Sequence, residues 1–217
     1  MNNIKSLETV LSELSDEKKK RIESVANIQA IADELQFLVQ QEVARKGREC
    51  TFDDYTMLRI RQVAEWIYKG QQRSLVLYGP YGVGKTIMLY ALERYFCRHY
   101  ADWRDDTREH FTASVTADNL CLMSTDPNNV DKIYCYMICD ILFIDDVGAE
   151  KEKYLCYGNL ITPVADIIDH RYIRRKKTIF TTNLVPAERC ARYGERIADR
   201  MNEDYAFIMY SNHPSYR

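Results

Sequence analysis

The clearest chemistry in the sequence lies in eight residues, Gly79-Pro80-Tyr81-Gly82-Val83-Gly84-Lys85-Thr86. The pattern G-x-x-x-x-G-K-[ST] carries meaning only between a strand and a helix. Both neighbours are present: an apolar run, Leu75-Val76-Leu77-Tyr78, precedes it, and a helix-forming run from Ile87 to Glu93 follows. Gly79, Gly82 and Gly84 free the backbone to turn successive N–H groups inward. Those donors, with the positive end of the helix that opens at Ile87, make a cradle for phosphate oxygens. Lys85 offers a compact positive charge for β- and γ-phosphates, and the Thr86 hydroxyl a ligand for Mg²⁺. Residues Gly79 to Ile87 therefore read as a nucleotide phosphate site.

Two further stretches offer groups that such a site needs. Ile141-Leu142-Phe143-Ile144 is a continuous apolar run, the pattern of a parallel strand buried on both faces, and it ends in Asp145-Asp146. Carboxylates at that end lie where open α/β sheets bind ligands. Asp145 suits the Mg²⁺ shell, and Asp146 suits orienting and polarising an attacking water. Thr178-Ile179-Phe180-Thr181-Thr182 is a third strand signal, and Asn183 just past it is placed to bind a γ-phosphate or the water. A buried amide with no ligand would be costly, which favours a function for it.

The elements around these strands are mostly helical. Ile22, Val25, Ile28, Ile31, Ala32, Leu35, Leu38 and Val39 recur at three-or-four spacing, drawing one stripe down a long helix with Asp16 as its cap. That helix either packs on its own domain or meets a partner. After Gly47 a second helix is expected, capped by Thr51, with Tyr55, Leu58, Ile60, Val63, Trp66 and Ile67 inward, ending at Lys69-Gly70. It should cover the sheet edge near a nucleotide base, with Trp66 either core or base-stacking. Phe111, Ala113, Val115 and Ala117 alternate as a strand, and residues 124–129 have loop chemistry. Gly158 to Arg175 reads as helix, closing in a basic run of Arg171, Arg174, Arg175, Lys176 and Lys177. The run is either a solvated helix cap or a contact for a nucleic-acid backbone. Tyr193 to Met201 forms a short helix with Arg196 and Arg200 one turn apart, and Ala206 to Tyr210 a last strand.

Composition sets the outer limits. The 217 residues suffice for one α/β domain with an appendage, and a net charge of −2 excludes a global polycation. Seven cysteines without a C-x-x-C pair read as reduced thiols, not a disulfide framework or a zinc site. No apolar run approaches membrane-spanning length and Met1 opens no signal-peptide core, so a soluble cytoplasmic protein is expected.

The order of the pieces says more than any one of them. The phosphate loop, I-L-F-I-D-D-V-G, T-I-F-T-T-N, G-E-R-I-A-D-R-M and the terminal S-Y-R together resemble the AAA+ ATPases. Within these, the likeness is to DnaC-type replicative-helicase loaders and IstB-type transposition helpers, from about Trp66 to Arg217. The resemblance implies a P-loop NTPase fold: a three-layer αβα sandwich around a central parallel sheet. Residues 1–50 would be an N-terminal helical extension and 51–217 the ATPase core. Lys85 and Thr86 look like Walker A, Asp145 and Asp146 like Walker B, and Asn183 like sensor 1. Arg200 is similar to an arginine finger reaching a neighbouring subunit's nucleotide, and Arg217 to the sensor 2 arginine.

The likeness has departures. Many AAA+ proteins carry Glu at the position of Asp146, and no room follows Arg217 for the usual helical lid. In the loader and initiator branch an inserted helix contacts single-stranded DNA; here residues 128–140 have Lys132 as their one cation. The implied protein is an ATP-binding and ATP-hydrolysing assembly factor in DNA replication, using ATP/ADP and Mg²⁺ and weak as a monomer. Its implied partners are a hexameric replicative helicase, single-stranded DNA and further copies of itself, with no membrane. A transposition helper with a transposase partner and duplex DNA, and a low-turnover nucleotide switch, stay open beside it. A small-molecule kinase is disfavoured by Asn183 and Arg200.

Overall fold

Successive residues of a strand face opposite sides of a sheet, so strands apolar at every position need cover on both faces. The computed structural model describes residues 16–100, 112–156 and 158–211. Its central sheet has five parallel strands: β1 (Ser74–Tyr78), β2 (Thr112–Thr116), β3 (Ile141–Val147), β6 (Lys177–Thr182) and β7 (Tyr205–Met209). Their order is β2-β3-β6-β1-β7. A separate antiparallel hairpin joins β4 (Tyr154–Cys156) to β5 (Asn159–Ile161).

The alternation separates the two cores. Leu75, Leu77, Ile141, Phe143, Ile179 and Ile208 pack on one side with helices α1 (Asp16–Arg45), α2 (Asp54–Lys69) and α3 (Lys85–Tyr100). Val76, Leu142, Ile144 and Phe180 pack on the other. There they meet α4 (Ala117–Ser124), α5 (Val130–Ile138), α6 (Pro163–Ile173) and α8 (Glu195–Asp204); α7 (Pro186–Tyr193) precedes α8. The result is the expected three-layer α/β sandwich. Each fully buried aliphatic side chain contributes about 1.5–3 kcal/mol relative to exposure.

The long helix α1 lies in the first core: Ile28, Ala32, Leu35, Leu38, Val39 and Val43 are buried against α2 and α3. The same stripe runs past its cover, because Ile22 and Val25 are 45% and 51% exposed. Helix α2 is capped by Asp53, whose carboxylate accepts from Thr56 N at 2.8 Å, and not by Thr51. Its buried residues are Ile60, Val63, Ala64 and Trp66, while Leu58 is exposed. Trp66 is core: its ring packs on Phe96, and its N–H donates to Gln72 O. The helix borders β7, the sheet edge it was expected to cover.

Several local expectations are corrected. Residues 158–162 are not helical but hold β5 of the hairpin, and the helix begins only at Pro163. A short 3₁₀ turn at Pro127–Asn129, capped by Asp126, interrupts the loop of residues 124–129. The helix expected over Tyr193 to Met201 spans Glu195–Asp204, and a further helix, Pro186–Tyr193, precedes it across Gly194.

The basic run is largely structural. Arg171 is fully buried and donates to Tyr136 O at 2.7 Å, Cys139 O at 2.9 Å and Thr178 Oγ1 at 2.9 Å. It thereby satisfies carbonyls that the end of α5 leaves open. Lys176 pairs with Asp140 at 2.8 Å. Lys177 lies between Trp66 and Phe96, its ammonium 5.0 Å from each ring centre.

Burial pulls the pKa of Lys177 down from the ordinary 10.5 to about 8, with the Arg73 charge adding to the shift. The folded chain thus releases this proton near pH 8 while the unfolded chain holds it to about 10.5, so stability rises with pH across that window. Lys177→Met is expected to raise stability at pH 7 by about 1–2 kcal/mol, since ring contacts offset part of the burial cost. In urea titrations from pH 7 to 10.5 the variant should also lose the rise in stability above pH 8.

Candidate functional site

Parallel strands end on a common edge, and the three middle strands bring their ends together. Strand β6 lies between β1 and β3, so Asn183 sits between the loop after β1 and the carboxylates at the end of β3. The Lys85 ammonium donates to Asn183 Oδ1 at 2.8 Å, and to Gly79 O and Pro80 O at 2.8 and 2.6 Å. Lys85 is buried, its charge folded against the mouth of its own loop. Thr86 Oγ1 donates to Asp145 Oδ1 at 3.0 Å. Lys85, Thr86, Asp145, Asp146 and Asn183 line one polar cleft with Gly82, Gly84 and Ile87.

Gly79 is required by a close approach. Its φ of +139° is rare for a side-chain-bearing residue, and a Cβ there would lie 1.9 Å from Tyr210 O. The first residue after β7 thus presses on the start of the loop, and Tyr210 N donates to Tyr78 O at 2.7 Å.

The two carboxylates differ because the strand bulges between them. The β3–β6 register shifts between Ile144 and Val147, and Asp146 adopts a left-handed φ of 57°. Asp145 is left buried and aimed at Thr86, whereas Asp146 is exposed. Hydroxyls of β6 hold the bulge: Asp146 N donates to Thr181 Oγ1 at 2.8 Å, and Thr182 Oγ1 donates to Val147 O at 2.5 Å. Thr181 also donates to Asp145 Oδ1 at 2.5 Å. Beyond the bulge, Glu150 is buried, accepts from Gly148 N and from Tyr193 OH, and pairs with Arg192 of α7. Tyr90 donates to Asp145 Oδ2 at 3.4 Å; burial, then the Asp145 charge, raises its pKa, so it remains a donor.

Thr86 and Asp145 present a hydroxyl and a carboxylate side by side, an all-oxygen set that fits Mg²⁺. No group of three or more metal-ligating side chains occurs among the described residues. A metal there would share its shell with water and substrate.

Arg200 does not line this cleft. Its guanidinium is ion-paired with Asp169 of α6 and lies 5.0 Å from the Tyr172 ring centre. Arg196 approaches the same Asp169 at 3.7 Å, but its side chain is 70% exposed. Arg217 lies outside the described residues.

Some site residues escaped the sequence. Thr181 and Tyr90 act through neighbours far away along the chain. Lys46 and Arg48, after the end of α1, line the polar cleft as well. An apolar cleft beside it shares Gly84 and Ile87, and is lined by Val39, Val43, Tyr55, Met88 and Tyr210 among others. Their only sequence signal was a helix expected near the sheet edge.

The sequence profile of the bacterial DnaA ATPase domain matches residues 49–205. No curated protein sequence matches the chain. Among solved structures, DnaI superposes with a TM-score of 0.57 at 19% identity, over 77% of this chain and 87% of that one. A DnaC helicase loader gives 0.53 at 18% identity, over 74% and 92%. AMPPCP-bound DnaA from Aquifex aeolicus gives 0.52 at 17% identity, over 77% of this chain and 50% of that chain. Likenesses at these identities establish the fold alone, that of an α/β P-loop NTPase. The profile match, which takes in the phosphate loop, both carboxylates, Asn183 and Arg200, establishes more. The chain belongs to the bacterial DnaA ATPase-domain family of AAA+ ATPases.

Proposed function

We propose that this protein is an ATP-binding and ATP-hydrolysing assembly factor of DNA replication, and that it loads a replicative helicase. The observation that carries the ATPase reading is the convergence of Lys85, Thr86, Asp145 and Asn183 through direct hydrogen bonds at one edge of the sheet. Helicase loading draws on likeness to DnaI and to the DnaC helicase loader, and single-stranded DNA on likeness to a DnaA replication initiator bound to it; self-assembly follows from the proposed trans role of Arg200.

In this reading the loop from Gly79 to Ile87 holds the phosphates with its backbone N–H groups and Lys85. The adjoining apolar cleft, with Tyr55, Val43 and Tyr210, takes the adenine. Thr86 and Asp145 would hold Mg²⁺, which would supply neutralising charge for the phosphates. Asp146 orients the attacking water and takes up its proton, its carboxylate turned outward by the bulge. Asn183 fixes the γ-phosphate or that water. With Asp in place of the longer Glu, these distances depend on the two threonines that set the bulge.

Arg200 completes a neighbour's site. Its pairing with Asp169 means that assembly exchanges one anion for another at the guanidinium, so an isolated subunit turns over slowly. Residues 1–50 act as the partner-binding extension, with Ile22 and Val25 outside the core. Arg217 supplies the sensor 2 contact.

Two variants test this. Arg200→Ala should leave ATP affinity of the isolated protein within about twofold. It should lower hydrolysis by assembled protein, with helicase and single-stranded DNA present, by roughly 10³-fold or more. Unchanged stimulated turnover would remove Arg200 from the role and make Arg196→Ala the next measurement. Thr181→Val should cost about 1–3 kcal/mol in stability, because Asp145 and Asp146 N lose a buried partner. Its turnover should drop about 10–100-fold with nucleotide affinity retained. A wild type that binds ATP without turning over in full assembly would mark a nucleotide switch instead.

A further inference from the structure

Helix α1 ends against the phosphate-binding face, not away from it. Glu42, nearly buried, pairs with Arg94 of α3, the helix that follows the phosphate loop. Arg45, one turn on, is 3.6 Å from the same carboxylate. The helix then stops sharply: Gly47, at φ +68°, donates to Ala44 O, and Arg48 N donates back to Val43 O. That left-handed turn sets Lys46 and Arg48 on the same side as the loop, and both line the polar cleft with Lys85, Asp145, Asp146 and Asn183. Lys46 lies 6.0 Å from the ring centre of Tyr90, whose hydroxyl points to Asp145.

The charges in the cleft make this placement informative. Lys85 is sunk into the loop, and two carboxylates oppose it. A polyphosphate entering such a cleft gains from cations at the mouth, and an arginine there can bind phosphate oxygens through two N–H groups. Cations are favoured at any helix C-terminus; the distinguishing feature here is that both of these line the same cleft as the phosphate loop.

We propose that Lys46 and Arg48 are phosphate ligands in cis, so that the end of the N-terminal helix closes over the polyphosphate of a bound nucleoside triphosphate. This rests on the ATP reading above and adds residues that the family's loop and carboxylates do not include. Because Glu42 ties the same turn to α3, nucleotide binding orders the end of α1 and couples the extension to the occupied site.

Calorimetric titration of the full chain with Mg²⁺ and AMPPCP, and separately with ADP, tests it. Three proteins are compared: wild type, Lys46→Ala/Arg48→Ala, and Arg45→Ala as a control that removes a neighbouring charge outside the cleft. The double variant is expected to bind AMPPCP at least about tenfold more weakly than wild type, with the control within about twofold. Hydrogen exchange over residues 42–50 should slow on AMPPCP binding in wild type and not in the double variant. Equal affinities for wild type and double variant, or a loss matched by Arg45→Ala, would overturn the inference while leaving the ATP site intact. A wild type that binds neither nucleotide would overturn the ATP reading and this contact with it. Both side chains are exposed, so the double variant should keep its fold, and an unchanged thermal midpoint without nucleotide checks this.

Discussion

One hydroxyl, that of Thr181, holds the arrangement on which the site depends. It donates to Asp145, accepts from the backbone N–H of Asp146, and is fully buried at the end of β6. A regular strand would send these carboxylates to opposite faces of the sheet. The bulge breaks that alternation, and a bulge leaves ladder groups without partners unless side chains supply them. Thr181 and Thr182 supply them, so one interaction holds Asp145 inward beside Thr86 and turns Asp146 outward. The left-handed backbone of Asp146 costs about 1–3 kcal/mol of strain, which these bonds offset.

The strand order makes that clamp possible. Because β6 lies between β1 and β3, its last residues touch both the phosphate loop and the carboxylates. The loop in turn is pressed into shape by Tyr210 against Gly79, so the far edge of the sheet also contributes to the cleft. Parallel pairing of β1 with both β6 and β7 transmits these constraints without a flexible connection. The chemistry sits on strand ends and a helix start, all of them backed by residues fully excluded from water.

The parts legible in the sequence were those specified within a few consecutive residues. Gly79 to Thr86, Ile141 to Asp146 and Thr178 to Asn183 each carry their strand context and reactive group together, and the three stretches do meet. Less legible were features decided by contacts distant along the chain. Thr51 and Asp53 both have capping side chains, and the helix takes Asp53, the stronger cap by type. The apolar spacing of residues 158–168 fits one helix, yet Gly158, at φ +81°, sits at the turn of the hairpin instead. The run from Arg171 to Lys177 reads as a solvated cap or a nucleic-acid contact, although Arg171 is buried and caps α5 and Lys177 is half-buried between aromatic rings. Composition cannot reveal this, since a buried arginine is recognised by the carbonyls it meets.

Arg200 shows why a motif names a residue without saying what state it is in. The likeness to an arginine finger rests on G-E-R-I-A-D-R-M, and helical spacing puts Arg196 and Arg200 on one face. In the folded chain both guanidinium groups approach one carboxylate, Asp169, from one turn apart. Two cations sharing one anion are imperfectly neutralised, so a further anion on this face would be welcomed. Arg200, stacked over Tyr172 and mostly covered, has its direction fixed, whereas Arg196 is exposed and adaptable. A preordered guanidinium loses less rotamer freedom on meeting a phosphate than a mobile one does. Under the proposed trans role, that difference favours Arg200 over Arg196 for a contact needing fixed geometry, with Arg196 beside Asp169 to take over its charge.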